Sequence, residues 1–91
     1  MILLVTYDLK TAGKNYQPFY TELKAQGAWW HYLTNTWLLD TRNEPEEVYH
    51  VLGQHLSTKD RILVTRIVRP YQGYLPKDAW DWLNDRIDIS V

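Results

Sequence analysis

Residues 29–40 read WWHYLTNTWLLD, two aromatic segments that flank the polar pair Thr34-Asn35. Tryptophan, tyrosine and threonine are favoured on the pleated, partly buried surface of a strand. Asn and Thr are common in tight turns, because their side chains can hydrogen-bond the local backbone. The stretch therefore predicts a β-hairpin with strands over residues 29–33 and 36–40.

The chain before this hairpin predicts a helix. It begins near Asn15, a good N-cap, and Pro18 is tolerated in its first turn. Gly27 marks the C-terminal limit, because glycine is typical just beyond a helix end. One face of this helix is apolar at the i, i+3, i+4, i+7 spacing and is formed by Tyr16, Phe19, Tyr20 and Leu23.

The chain after the hairpin predicts two further helices. The first begins at Asn43-Glu44-Pro45, since proline suits the first helical position. The second is predicted over residues 76–86, after chain breaks at Pro70 and Gly73. Their apolar stripes are Val48, Tyr49, Leu52 and Leu56 on the first, and Ala79, Trp80, Leu83 and Ile87 on the second. The opposite face of the last helix carries Asp78, Asp81, Asp85 and Asp88, which we interpret as a solvated face.

Strands are also predicted over residues 2–7 and 61–68, which are rich in Leu, Ile and Val. Strand, helix, hairpin, helix and strand make the ferredoxin-like β-α-β-β-α-β arrangement, here with an additional C-terminal helix. The predicted fold class is therefore α+β with an antiparallel sheet. A chain of 91 residues has room for one core, so we expect a single domain over residues 1–91.

Both faces of the predicted sheet are apolar, although one face of such a sheet normally meets water. Neighbouring strand residues point to opposite faces, and both are apolar in pairs such as Leu3-Leu4 and Trp29-Trp30. The last helix is too short to cover a whole face, so a second copy of the chain is the natural cover. We expect a homodimer, the alternative being that this helix and the aromatic residues suffice. Trp37 and Leu63 are expected to be buried.

Composition excludes several classes of function. The chain has no cysteine, which rules out disulfides, thiol catalysis and cysteine-based zinc sites. No basic region precedes the strand that begins at Ile2, and no apolar run approaches the roughly 20 residues of a membrane span, so we expect a cytoplasmic protein. The net charge of −1 is not typical of a general nucleic-acid binder, but residues 59–71 are locally basic and suit a phosphate ligand.

Asp8 is the first candidate for chemistry, because it ends the first strand at the edge of the expected two-fold interface. A carboxylate there could meet its symmetry mate and share a Mg²⁺ ion, which prefers a few carboxylates and retained waters. Such a metal could activate water for phosphodiester cleavage. The alternative is that Asp8 organises the turn, as aspartate commonly does after a strand.

Other polar motifs carry weaker hypotheses. Glu47 and His50 have a spacing used in di-iron sites, but such sites need two copies and these residues lie opposite the apolar stripe. His31 is either a general base or a polar residue at an interface, and we favour the interface. His55 is expected to be a packing residue. The loop at residues 10–14 is interpreted as solvated, although it could hold an anion at the start of the first helix.

Short motifs along the chain resemble a known family. The segments LVTYDL at residues 4–9, GKNY at 13–16, TWLL at 36–39 and DRILV at 60–64 are similar to short bacterial and phage proteins labelled SinR-like. That group resembles in turn the CRISPR-associated spacer-acquisition protein numbered two and the virulence-associated protein D toxins, which share a ferredoxin-like dimer. This chain differs in carrying Thr36-Trp37 in strand three and an acidic helix where those spacer-acquisition proteins extend a fifth strand.

The resemblance implies a function and a site. In the spacer-acquisition family an aspartate at the end of strand one is the proposed metal ligand, and it corresponds to Asp8. The first hypothesis is therefore a Mg²⁺-dependent nuclease of a defence or toxin-type system, acting as a homodimer on RNA or DNA. The second is a non-catalytic dimer that binds nucleotide, nucleic acid or a partner protein through its aromatic surface. Phosphate contacts are expected from Lys10, Lys14, Arg61 and Arg66.

Overall fold

A computed structural model describes residues 1–88 and has four strands and three helices within them. The strands form one antiparallel sheet in the order β2-β3-β1-β4. The predicted α+β class with an antiparallel sheet is confirmed. Along the chain the elements are β1 (Ile2–Asp8), α1 (Gln17–Lys24), β2 (Ala28–Leu33), β3 (Thr36–Asp40), α2 (Pro45–Gly53), β4 (Arg61–Arg66) and α3 (Lys77–Ile87).

The predicted hairpin is present, with β2 and β3 joined at Thr34-Asn35. Trp30 lies opposite Leu38 and Leu33 lies opposite Thr36, with a register irregularity between the two pairs.

The helices begin close to their predicted starts. The N-cap of α1 is Tyr16 rather than the expected Asn15, but the Asn15 side chain accepts a hydrogen bond from the Gln17 backbone N–H at 3.0 Å and so satisfies one of the free donors of the first turn. In α2 a capping box pairs Glu44 with Glu47.

One face of the sheet, here called the first face, is covered by α1 and α2. Phe19 and Leu23 of α1 pack with Val48 and Leu52 of α2 on the strands. Trp37 is 2% exposed, which confirms its predicted burial. Tyr49 was expected in the stripe of α2 but is exposed, because it lies beside rather than on the buried face. The strand residues of this core are Leu3, Val5, Tyr7, Trp37 and Leu39.

The opposite face, here called the second face, is covered in part by α3. Ala79 and Leu83 of α3 pack against Ile2, Trp30 and Leu38. The Trp30 indole N–H donates to the Ala79 carbonyl at 3.1 Å, which ties the helix to β2. The α3 helix therefore packs its apolar side against the sheet and forms a second core there, as expected for a helix with one apolar and one acidic face.

The part of the second face that α3 leaves open is a row of cross-strand partners. Leu33, Thr36, Thr6 and Leu63 lie side by side across the four strands, and we call them the open row. Leu33 is 45% exposed and Leu63 is 58% exposed. The expected burial of Leu63 is therefore wrong. The β4 strand is an edge strand that α3 does not reach, so its second-face side chains meet solvent.

Gly27 lies two residues beyond Ala25, the C-cap of α1, and is needed for a close approach between two chain segments. Its φ is +147°, a conformation that favours glycine, and a Cβ atom there would lie 2.2 Å from the Asp40 carbonyl oxygen. Only glycine lets the first residue before β2 approach the end of β3 this closely.

None of the helices within residues 1–88 is long and apolar enough to cross a membrane.

Candidate functional site

Asp8 is the last residue of β1 and lies opposite Arg61 of β4. Because strand residues alternate between faces, Asp8 shares the second face with Thr6, a member of the open row. The carboxylate is exposed, and its Oδ2 lies 3.1 Å from the Lys10 Nζ. A shallow depression here is lined by Thr6, Tyr7, Asp8, Arg61, Ile62 and Leu63.

A second aspartate, Asp60, organises the loops around this position. It directly precedes β4 and is buried. Its Oδ1 accepts hydrogen bonds from the Lys10 backbone N–H at 2.8 Å and from the Tyr16 hydroxyl at 2.7 Å. Its Oδ2 accepts one from the Ser57 backbone N–H at 2.9 Å. The hydroxyls of Thr11 and Ser57 lie against the same carboxylate and hydrogen-bond each other.

The charge of Asp60 suits this role. Burial by itself would raise the pKa of its carboxyl group, but the hydrogen bonds from Ser57, Tyr16 and Lys10 outweigh that effect and hold the pKa well below its usual range. The carboxylate is therefore ionised in the folded protein at neutral pH. One buried anion thus joins the β1–α1 loop to the α2–β4 loop.

The structure bears on the interpretation in which Asp8 organises the turn. Within residues 1–88 the carboxylate of Asp8 has Lys10 as its one partner and accepts no hydrogen bond from loop backbone. Asp60 organises the loops instead. The sequence pattern assigned no role of its own to Asp60, which lies in the locally basic segment at residues 59–71. The one local signal was its place three residues after Ser57, a spacing suited to a side-chain hydrogen bond within a turn.

The predicted phosphate-binding residues are brought together only in part. Lys10 and Arg61 flank Asp8. Lys14 is on the same loop as Lys10, with its Nζ 5.8 Å from the centre of the Tyr16 ring. The Arg61 guanidinium donates to the carbonyls of Thr58 and Asp60, so its position is fixed by the loop. Arg66 is at the other end of β4, opposite Leu3 and roughly 16 Å from Arg61 at the usual rise per residue.

A metal ion at Asp8 would need ligands that one chain does not supply. Residues 1–88 contain no group of three or more His, Asp or Glu side chains placed to hold a metal ion together. The hypothesis of a shared ion takes its second carboxylate from another copy and its remaining ligands from water. Asp8 fits that hypothesis in type and exposure, because carboxylate oxygen is the ligand that Mg²⁺ prefers.

The histidines lie apart from Asp8. His50 is exposed with Glu46 and Glu47 on the outer face of α2, as predicted for a solvated face. His55 is half-buried, in agreement with a packing role. His31 is exposed, lies parallel to Trp37 with 4.1 Å between the ring centres, and has its Nε2 3.0 Å from the Thr34 carbonyl.

His31 belongs to a second depression, which we call the aromatic cleft. It lies on the first face beside α1, where β2 extends past the helix. Trp29 and His31 flank Trp37, because alternate residues of β2 point to the same face. The sequence showed the aromatic hairpin but not this cleft, which depends on the packing of α1. Its lining is Tyr7, Gln17, Tyr20, Lys24, Trp29, His31, Thr34 and Trp37.

No protein-family model matches this chain, and no solved structure matches it. The similarity to SinR-like proteins therefore depends on the four short motifs alone.

Proposed function

We propose that the chain is a ferredoxin-like homodimer that acts in the cytoplasm as a Mg²⁺-dependent nuclease of a defence or toxin-type system. The ferredoxin-like assignment is supported by the order β-α-β-β-α-β before α3 and by the sheet order β2-β3-β1-β4. The α1 and α2 helices lie together on one face, as two right-handed crossovers of such a sheet would place them.

The observation that carries the proposal is the position of Asp8 beside the open row. Leu63 is a large apolar side chain that is more than half exposed, and it lies opposite Thr6, two residues before Asp8. A second copy that covers Leu63 about a two-fold axis brings the two Asp8 side chains to one interface. An exposed apolar side chain and an exposed carboxylate, paired with Lys10, thus occur at the same place on the sheet.

The chemistry follows from this pair of carboxylates. The two Asp8 carboxylates would hold the Mg²⁺ ion, and its chemistry there would be the activation of water for attack on phosphorus. Asp8 provides the negative charge that holds the cation. The Lys10 ammonium lies 3.1 Å from the Asp8 carboxylate and would be available to contact the phosphate if a cation took its place there. Lys10, Lys14 and Arg61 then balance the charge that develops on the phosphate oxygens as the phosphodiester bond breaks.

The test measures metal binding and cleavage in the same variants. Two carboxylates brought together without a cation repel each other, so Mg²⁺ or Mn²⁺ should raise the melting temperature of the wild-type dimer. Asp8→Asn should abolish that rise and the cleavage of single-stranded RNA or duplex DNA. Asp78→Asn is the matched control, since Asp78 is an exposed carboxylate on α3.

Two results would contradict the proposal. The first is cleavage that persists undiminished in Asp8→Asn, which would place the chemistry elsewhere. The second is a dimer whose stability does not respond to either metal and that cleaves neither substrate. In that second case the chain is the non-catalytic binding module, a function that the aromatic cleft favours independently of Asp8.

A further inference from the structure

We infer that the aromatic cleft is a binding site for an unpaired base of single-stranded nucleic acid. The inference shares with the proposed nuclease only the class of ligand, because the cleft lies on the first face and Asp8 lies on the second. Its evidence is the exposed rings, the rigid floor and the sign of the charge around the cleft.

The stacking surface is supplied by Trp29, which is 44% exposed although it is the largest kind of side chain in the protein. Its ring centre lies 5.1 Å from that of Trp37, with the two ring planes tilted by 51°. The Lys24 ammonium lies over the Trp29 ring, 5.5 Å from the ring centre. A cation–π contact at an exposed site is weak, so a base can take the place of the ammonium over the ring. Every base has a π-face, which makes such stacking tolerant of sequence.

The floor of the cleft is fixed before any ligand arrives. The Trp37 indole N–H donates to the Tyr7 hydroxyl at 2.9 Å, and both residues are buried. Burial raises the pKa of Tyr7 to about 12, so this hydroxyl remains neutral under ordinary conditions. His31 lies parallel to Trp37 at the outer edge. A ligand therefore meets rings that are already ordered, and loses less entropy in binding than it would at a mobile surface.

The charge around the cleft selects an anionic ligand. Lys24 is the charged side chain of the lining, and no Asp or Glu among residues 1–88 lines the cleft. A cationic ligand, which aromatic cages usually bind, would be repelled by Lys24. A nucleotide offers both complementary groups, since its base stacks on Trp29 while its phosphate attracts the ammonium displaced from that ring. The Gln17 amide and the Thr34 hydroxyl at the rim can hydrogen-bond to base edges or sugar.

The cleft and the depression at Asp8 have Tyr7 in common in their linings but are separate sites. Trp29 lies opposite Leu39, which lies opposite Leu3 near the start of β1, whereas Asp8 ends that strand. A base held at Trp29 is therefore bound independently of Asp8. A duplex cannot use the cleft in this way, because its bases are stacked on each other.

Binding can be measured without cleavage by fluorescence anisotropy of a labelled oligonucleotide of about 12 residues, in EDTA. Oligouridylate and oligothymidylate distinguish RNA from DNA as the source of the base. Trp29→Leu should weaken binding about 10-fold or more, since it removes the stacking ring while keeping an apolar contact on Trp37. Tyr74→Ala is the matched control, because Tyr74 is 98% exposed and lies outside the cleft. It should change the affinity less than about 2-fold.

Two further comparisons test the charge and the strandedness. Lys24→Gln should lower the slope of log affinity against log salt by about 1, whereas Lys77→Gln on α3 should leave it unchanged. The blunt duplex of the same sequence should compete at least about 10-fold less well than the single strand.

The inference is overturned if Trp29→Leu binds as tightly as the wild type, or if the duplex competes equally. These results are separable from the fate of the nuclease. Base binding that depends on Trp29 without cleavage in Mg²⁺ would remove the proposed catalysis and leave the cleft. Cleavage that needs Asp8 but not Trp29 would remove the cleft and leave the catalysis.

Discussion

Asp8 and Asp60 are close in the fold, because Asp8 pairs with Arg61, the residue after Asp60. Their carboxylates nevertheless have different environments. Asp60 is buried and accepts hydrogen bonds from both neighbouring loops, whereas Asp8 is exposed and paired with Lys10 alone among the described residues. The donors around Asp60 stabilise its ionised form. The environment of Asp60 therefore gives its carboxylate a structural role, whereas the carboxylate of Asp8 is accessible to a ligand. Residue type alone does not distinguish the two.

At the residue scale, we expect Asp60→Asn to lower the melting temperature at pH 7 by about 5 °C, because an amide nitrogen would face backbone donors that now meet a carboxylate oxygen. The loss should also depend on pH. The folded pKa of Asp60 is below the unfolded value, so its stabilisation is present above about pH 4 and is lost as the pH falls below that value.

The urea midpoint measured between about pH 6 and 2 checks this, and the slope on the acid side should be shallower in Asp60→Asn. A residual slope is expected, since hydrogen bonds from Arg69 lower the pKa of Asp88 as well. Equal slopes in the two proteins would show that the loops do not depend on this anion.

Burial of single residues was predictable where local pattern and topology agree. Trp37 is on a central strand under two helices, and its burial was predicted correctly. Leu63 has the same apolar character, but it is on an edge strand beyond the reach of α3. The position of α3 is set by the loop at residues 67–76, whose path the sequence does not specify. Asp60 was missed for a related reason, because its donor at Lys10 is 50 residues away in the chain.

At the scale of elements, turns and helix periodicity predicted all four strands and all three helices of residues 1–88 to within a few positions. Element ends differ from the prediction by a few residues. The N-cap of α1 is Tyr16 rather than Asn15, and β4 ends at Arg66 rather than at residue 68. The sequence pattern does not show which part of the second face α3 covers and which part remains exposed as the open row.

We expect Leu83→Ala to lower the free energy of unfolding by about 3 kcal/mol, because Leu83 is buried between α3 and the sheet and its truncation leaves a cavity. Urea denaturation measures the change. The adjacent Asn84 is exposed on the same helix, and Asn84→Ala should shift the value by less than about 0.5 kcal/mol. If both variants unfold at the same urea concentration, α3 does not pack on the second face as described.

At the scale of the whole molecule, two cores on opposite faces of one sheet leave Leu33 and Leu63 in contact with solvent. The apolar character of both faces was evident in the strand sequences. Whether the remaining exposed row is an interface is the question on which the proposed function depends, because Asp8 adjoins it.

We expect the wild-type protein to have twice the 10.9 kDa chain mass in light scattering. Leu63→Asp should fold but run as a monomer, because it places a carboxylate in the proposed interface while the side chain is exposed in a single chain. Tyr49→Asp is a matched change at an exposed apolar residue of α2 and should remain dimeric. A wild-type monomer would contradict the dimer, and a dimeric Leu63→Asp would move the interface elsewhere.

The Asp60 carboxylate joins two loops that no strand or helix connects directly. The β1–α1 loop is consequently not a self-contained module. If it were grafted onto another protein, the segment at residues 57–60 would have to accompany it, since its own residues supply donors but not the anion they bind. The same dependence constrains insertions, because lengthening either loop moves the donors or the acceptor. Variation that would be harmless in an independent surface loop is here limited by a segment distant in the chain.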